Sequence, residues 1–280
     1  MSAQSPKRPA LRWHGGKWLL APWIISHMPK HRVYVEPFGG AMSVLLRKTP
    51  SYAEVYNDLD HEAVNLFRVL RSDRAAELHS LLELTPFARE EFEGSYQPTD
   101  DAVEKARRLV IRSFMGFGSD GCNDARPTGF RANSNRSGTT PAHDWVSYVK
   151  AMPVLIERLS GIIIENRDAT VVMAAHDSAQ TLHYVDPPYM WATRRPVKNS
   201  ERKNYRHELS DNDHAKLLDI LCGLQGMVLL SGYPHALYDE KLAGWLRVER
   251  KALADGARLR TEVLWINPAA TQALHGERLL

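Results

Sequence analysis

Val33-Tyr34-Val35-Glu36-Pro37-Phe38-Gly39-Gly40 is the stretch on which the fold turns. Its first three residues favour a strand, and Pro37 with the glycine pair stops it. A helix-like run follows from Ala41 to Arg47. A second short β-type run, Ala53-Glu54-Val55-Tyr56, ends in Asn57-Asp58-Leu59-Asp60. Strand, helix and strand make a βαβ unit. Further along, Ile162-Ile163-Ile164, Leu182 to Val185, Met227 to Leu230 and Val263 to Ile266 read as strands. Asp211 to Leu221 reads as a helix capped by Ser210. Strands alternating with helices argue for an α/β sheet.

Between the two halves of this pattern the texture changes. Val64 to Leu70, Ala75 to Leu84 and Ala102 to Phe114 carry apolar residues at three-to-four spacing, which predicts helices. From Gly116 to His143 the chain is polar and lacks an apolar period. That length is more often a functional loop than a connector. The expected organisation is a discontinuous sheet domain, residues 11–62 and 160–270, interrupted by a helical domain, residues 63–159. Residues 1–10 and 271–280 read as tails.

Composition excludes several classes. The chain has 280 residues, 44% hydrophobic and 25% charged, the balance of a globular protein. No apolar run reaches the roughly 20 residues of a membrane helix, and the polar, basic start from Met1 to Pro9 is not a secretion signal. Two cysteines, Cys122 and Cys222, make no disulfide framework and no metal-binding spacing, so a reduced, cytoplasmic protein is expected. Net charge is only +3, but it is uneven: Arg194 to His207 holds six Lys/Arg against one acid, Glu201. Lys198, Lys203 and Arg206 there, with Arg126, Arg131 and Arg136 in the polar stretch, are candidates for holding nucleic-acid phosphates. A solvated loop is the simpler account of either segment.

Asp186-Pro187-Pro188-Tyr189 is the strongest chemical signal, because it follows a strand, and open α/β sheets bind ligands at the carboxyl ends of their strands. Two prolines stiffen the backbone and remove two amide donors. An exocyclic amine on an aromatic base is a poor nucleophile, its lone pair being delocalised into the ring. A carboxylate and a backbone carbonyl that accept its two hydrogens hold it toward tetrahedral geometry. Asp186 suits the first role and the Pro187 carbonyl the second, while Tyr189 can stack on an extruded base. A Pro-Pro turn with Asp as turn former explains the same residues without chemistry.

Glu36-Pro37-Phe38-Gly39-Gly40 places glycines where a ligand can approach the backbone, yet it lacks the three-glycine spacing of a dinucleotide fingerprint. Asp58 can accept two ribose hydroxyls, with Asp60 as rival and helix capping as the alternative. Asp168 suits either an adenine contact or a cap on a helix starting near Ala169. In Trp13-His14-Gly15-Gly16-Lys17, two glycines beside a lysine can admit an anion, or form a surface turn. Phe114-Met115-Gly116-Phe117-Gly118 reads as core or as rings that touch DNA.

Together, and in this order, Trp13 to Lys17, Glu36 to Gly40, Asp58, a helical insertion and Asp186 to Tyr189 resemble the Dam-type family of N6-adenine DNA methyltransferases, over about Leu11 to Pro268. The resemblance implies a Rossmann-like, S-adenosylmethionine-dependent sheet with an inserted, mostly helical target-recognition domain. It implies that Trp13, Lys17, Asp58 and Asp186 line the cofactor pocket, with Gly15, Gly16, Glu36, Pro37, Phe38, Gly39, Gly40 and Asp168 as further cofactor candidates. It implies metal-free catalysis by Asp186, Pro187 and Tyr189, Pro188 completing the corner, on double-stranded DNA by a monomer. The recognition stretch departs from the pattern. Members that methylate GATC carry Tyr-Gly-Tyr-Asn-Gly and then an arginine; here Met115 to Ser119 and Cys122 stand in those places, so the GATC target is not carried over. Two other readings remain: the same chemistry on RNA or protein, and a non-catalytic DNA-binding derivative.

Overall fold

The computed structural model describes residues 5–118, 122, 127–135, 138–193, 206–254 and 258–276. In chain order the elements are α1 (Ala21–Ile25), β1 (Val33–Glu36), β2 (Ala53–Asn57), α2 (His61–Leu70), α3 (Ala75–Leu84), α4 (Arg89–Gly94), α5 (Ala102–Met115), α6 (Pro141–Arg158), β3 (Ile162–Glu165), α7 (Ala169–Ala175), β4 (Thr181–Val185), α8 (Asp211–Gly223), β5 (Met227–Gly232), α9 (Ala236–Lys241), β6 (Leu246–Ala254), β7 (Arg258–Ile266) and α10 (Pro268–Gly276). The strands form one sheet in the order β3-β2-β1-β4-β5-β7-β6. β1 runs parallel to β2 and β4, and β4 parallel to β5, while β7 is antiparallel to both its neighbours. The first five positions repeat the order of a doubly wound dinucleotide-binding sheet, and a hairpin takes the sixth. The order reverses between β1 and β4, and that switch point is where such sheets bind ligands.

The chain divides into two compact units. One comprises the described residues of Leu19–Gly39, Thr49–Leu59 and Glu165–Leu280. Alternation along its strands sorts two faces. Val185, Val228, Leu230, Val263 and Trp265 point to one face, where Leu217, Leu218 and Leu221 of α8 and Tyr238 and Leu242 of α9 close a hydrophobic core. Val35 and Val55 continue it against Val172 of α7. The opposite face carries Tyr34, Glu36, Glu54, Tyr56, Tyr184, Ser231 and Glu262, all buried. β6 is the edge strand and exposes Arg247, Glu249 and Lys251, charges that discourage pairing with another chain.

The second unit comprises the described residues of Met1–Trp18, Gly40–Lys48 and Asp60–Ile164. Its helices start on side-chain caps: Asp60 accepts from Glu62 N and Ala63 N, Asp101 from Glu104 N, and Thr140 from His143 N ahead of Pro141. Buried Arg112 of α5 clasps both carboxylate oxygens of Glu62 on α2 at 2.9 Å and donates to the Ser95 carbonyl at 2.6 Å. Pro153 lies inside α6 and cannot donate to the carbonyl of Val149; His79 Nε2 on α3 lies 3.2 Å from that oxygen and meets its need.

Four sequence expectations are corrected. Ala41 to Arg47 is a series of turns rather than a helix, because Met42 adopts φ 57°, a left-handed conformation that interrupts helical bonding. Residues 11–18 and 40–48, expected in the sheet domain, pack in the helical unit: the Arg12 amide donates to Ser113 Oγ at 2.7 Å and Arg158 Nη2 to the Leu45 carbonyl at 2.7 Å. Within the expected tail of residues 1–10, the described residues 5–10 are packed: Pro6 and Ala10 are buried and Tyr148 donates to the Ala10 carbonyl at 3.0 Å. Residues 271–276 belong to α10, whose start is capped by Asn267 through the Ala270 amide.

Candidate active site

At the carboxyl edge of the sheet unit, β1 delivers Glu36-Pro37-Phe38-Gly39, β2 delivers Asn57-Asp58, and β4 delivers Asp186-Pro187-Pro188-Tyr189. Asn57 organises the first two. Its side chain, 1% exposed, donates to the Pro37 carbonyl at 2.9 Å and the Arg167 carbonyl at 3.0 Å, and accepts from the Arg167 amide at 2.9 Å. Asn166 adds a 2.6 Å bond to the Asp58 carbonyl. Gly39 donates to the Asn57 carbonyl at 2.8 Å, so the turn after β1 lies flat against the end of β2. A Cβ on Gly39 would sit 2.2 Å from the Tyr56 ring. Glycine is therefore required there by packing.

The polar face behind this edge is a set of tyrosines paired with acceptors. Tyr34 donates to Glu36 Oε2 at 2.8 Å, Tyr184 shares a 2.8 Å hydrogen bond with Ser231, and Tyr189 donates to Glu262 Oε2 at 2.9 Å. Burial pushes all three phenols well above their ordinary pKa; the next cause is the charge of Glu36 for Tyr34 and of Asp186 for Tyr184 and Tyr189. The rings thus stay neutral and keep their protons for donation. Asp186 and Pro188 are half-buried and Pro187 is buried, so the corner is set into the edge rather than projecting from it. Tyr189 is 8% exposed and lies edge-on to Tyr233, ring centres 4.6 Å apart.

The two rival aspartates separate. Asp60 spends its carboxylate capping α2, whereas Asp58 is half-buried at the end of β2. Asp168 is exposed and caps α7 through Oδ1, to the Thr170 amide at 2.8 Å and to the Thr170 hydroxyl. In the helical unit, the Trp13 carbonyl accepts from the Gly16 amide at 3.0 Å, and buried Lys17 donates to the Gly15 carbonyl at 2.7 Å. Gly40 has φ +46° and backs onto Trp13, whose Nε1 would lie 2.7 Å from an added Cβ. Trp13, Gly15, Gly16, Lys17 and Gly40 thus form a local turn and stack of their own.

Of the six basic residues singled out in sequence, Arg126, Arg136, Lys198 and Lys203 lie outside the described residues. Arg206 is half-exposed. Arg131 is turned inward: its side chain is 10% exposed, and its guanidinium donates to the Phe114 carbonyl at 2.9 Å and faces Asp144 at 3.8 Å. Sequence reasoning missed Asn57, Tyr233 and Glu262. Both cysteines are free, and no group of metal-ligating side chains occurs among the described residues. Nor is any described helix long and apolar enough to cross a membrane.

A doubly wound sheet whose switch point lies between a Glu-Pro-Phe-Gly turn and an Asp-Pro-Pro corner defines the class, a Rossmann-like methyltransferase fold. Residues 13–226 match the model of the D12 class N6 adenine-specific DNA methyltransferases, and the chain belongs to that family. It is 36% identical over 117 residues to a DNA adenine methylase of Vibrio cholerae serotype O1, a match covering 40% of this chain and 42% of that protein. A type II methyltransferase of Lactococcus lactis subsp. cremoris, M1.LlaDCHI, is 27% identical over 256 residues, 83% of this chain and 84% of its own length. The DNA adenine methylase of Escherichia coli K12 is 35% identical over 106 residues, 34% of this chain and 38% of that protein. The matches to the two methylases thus span less than half of those relatives.

Proposed function

We propose that this protein transfers a methyl group from S-adenosylmethionine to the exocyclic amine of an adenine extruded from duplex DNA. The observation that carries the reading is the Asp186-Pro187 corner at the end of β4, beside the point where the sheet order reverses.

The donor set suits the cofactor. Asp58 offers a half-buried carboxylate for two ribose hydroxyls, as in dinucleotide-binding sheets. Glu36, Pro37, Phe38 and Gly39 form the turn at the switch, and Asp168 contributes from the start of α7. Trp13, Gly15, Gly16, Lys17 and Gly40 enter the reading on the family pattern alone. S-adenosylmethionine, when bound, supplies an electrophilic methyl on a sulfonium.

This chain's own residues prepare the acceptor. The Asp186 carboxylate and the Pro187 carbonyl accept the two amine hydrogens, hold the nitrogen toward tetrahedral geometry and so withdraw its lone pair from delocalisation into the ring. Pro188 holds the corner rigid and removes a competing amide donor. Tyr189 offers a neutral ring against which the extruded base stacks, which offsets part of the few kcal/mol that extrusion costs. The helical unit is the target-recognition domain, and exposed Phe117 is its DNA-facing ring. Arg126, Arg136, Lys198, Lys203 and Arg206 hold phosphates. The enzyme acts as a cytoplasmic monomer.

Purified protein is tested with labelled S-adenosylmethionine and DNA, RNA or protein as competing acceptors. Label in DNA at adenine, lost in Asp186→Ala with folding intact, supports the proposal; preferential labelling of RNA or protein rejects the acceptor. Calorimetry that shows DNA binding without S-adenosylmethionine binding would establish the non-catalytic alternative. Single-molecule sequencing of DNA from expressing cells then reads the methylated context.

A further inference from the structure

β7 enters the sheet as an antiparallel strand, and its alternation sets Arg260, Glu262, Leu264 and Ile266 on one face. Leu264 and Ile266 are buried and apolar. Glu262 is 8% exposed yet acidic. A buried carboxylate is costly unless hydrogen-bonded. The acid has a specific partner: the Tyr189 hydroxyl donates to Oε2 at 2.9 Å. Tyr189 is flanked by Tyr233, and the Arg260 guanidinium lies 5.6 Å from the Tyr233 ring centre. One strand therefore anchors the Tyr189 ring twice, directly through Glu262 and through the Arg260–Tyr233 stack.

We propose that Glu262 is the positioning residue of the acceptor site: it tethers the Tyr189 hydroxyl so that the ring plane is already fixed when the extruded base arrives. The inference rests on the methyltransferase reading of the Asp-Pro-Pro-Tyr corner. A ring free to swing would have to be ordered as the base stacks, and that loss of freedom would be set against stacking. A ring held at its hydroxyl and against Tyr233 meets the base in place, the pre-organisation that rigid site residues provide. Neutrality of the phenol supports the same geometry, since only the protonated oxygen donates to Glu262. Glu262 touches neither base nor methyl group; it acts through Tyr189.

The experiment uses the full chain with unmethylated plasmid DNA and labelled S-adenosylmethionine. Glu262→Ala is expected to lower kcat about tenfold, within the range that one stacking contact controls, with affinity for S-adenosylmethionine by titration unchanged. Glu262→Gln, which keeps an acceptor oxygen, is expected to recover most of the rate. Tyr189→Phe is expected to match Glu262→Ala, and the double variant to fall no further, since both remove one interaction. Wild-type turnover in Glu262→Ala, no recovery in Glu262→Gln, or losses that multiply in the double variant would overturn the inference. So would a parallel loss of cofactor affinity, the mark of a damaged sheet edge. If Glu262→Ala does not fold, Tyr189→Phe carries the test, and a wild-type kcat in Tyr189→Phe overturns the inference. Loss of transfer in Asp186→Ala tests the parent reading separately. An active wild type, a dead Asp186→Ala and an undiminished Glu262→Ala reject only the role of Glu262.

Discussion

Asn57 and Pro37 are joined by a 2.9 Å hydrogen bond from the buried asparagine amide to the proline carbonyl, and this bond ties the turn after β1 to the end of β2. The same side chain satisfies both backbone groups of Arg167. Asn57→Ala would leave the buried Pro37 carbonyl and both backbone groups of Arg167 without that partner. A loss of about 2 to 4 kcal/mol of stability is expected, measured by urea unfolding, together with weaker binding of S-adenosylmethionine. Asn57→Asp can still accept from the Arg167 amide but sets a carboxylate against two carbonyls, and is expected to be no better than alanine. A variant as stable as wild type would show that water replaces the bonds and that the turn holds itself.

Gly39 gives a sharper case because steric contact decides it. A Cβ 2.2 Å from the Tyr56 ring cannot be accommodated without moving the ring or the turn. Gly39→Ala is expected to lose about 1 to 3 kcal/mol, and Tyr56→Leu in the same chain to recover part of it. The coupling read from a double-mutant cycle in thermal melts is the measurement. Losses that simply add would mean that the glycine serves an approaching ligand and not the ring.

The parts of this fold that periodicity could reveal were those where one rule acts alone. α3 runs from Ala75 to Leu84 as its apolar spacing predicts, and α8 starts at the Ser210 cap. α6 was hidden by Pro153, a helix breaker in sequence whose lost bond is made good by His79, a partner 74 positions away in the chain. β6 was hidden because an edge strand carries charge where a core strand would carry valine. At the edge of the sheet, sequence pattern found Asp58 and Asp60 but could not tell them apart; only capping of α2 by Asp60 does so. Glu262 has no local signature at all, since its meaning comes from Tyr189, 73 residues earlier.

His183 lies on central strand β4 with no exposure, its Nε2 3.3 Å from Asp177 Oδ1. Burial lowers its pKa below the ordinary 6.5, against the opposing pull of Asp177. In the folded chain the ring therefore gains its proton at a lower pH than in the unfolded chain. As pH falls below 6.5 the unfolded state takes up the proton first, so stability is lost on acidification and regained as pH rises. The slope from this one group is at most about 1.4 kcal/mol per pH unit. His183→Gln, which does not titrate, is expected to unfold with a shallower dependence between pH 7 and 5. Equal slopes in the two proteins would place the acid sensitivity elsewhere.

Phe117 is the prediction that reaches the helical unit. A bridge between Gly116 and Phe130, with bonds from Phe117 N to the Gly129 carbonyl at 2.7 Å and from Arg131 N to the Met115 carbonyl at 2.8 Å, fixes the backbone that leads into it. Across the bridge, Phe130 packs against Phe87 and Phe92, ring centres 5.2 and 5.8 Å away. Phe117 instead leaves 72% of its surface exposed. A large apolar ring left exposed beside a bonded bridge is poorly explained by folding, and it suits stacking on or between bases. Phe117→Ala is expected to leave the melting temperature within a degree or two and to weaken duplex binding about tenfold by fluorescence anisotropy at fixed salt. Phe117→Trp should bind at least as well as wild type, because the larger face stacks better. The salt dependence should not change in either variant, since no charge is removed and no counterion released. A binding loss that varies with salt would point to a displaced basic side chain, and unchanged binding in Phe117→Ala would remove this ring from the recognition surface.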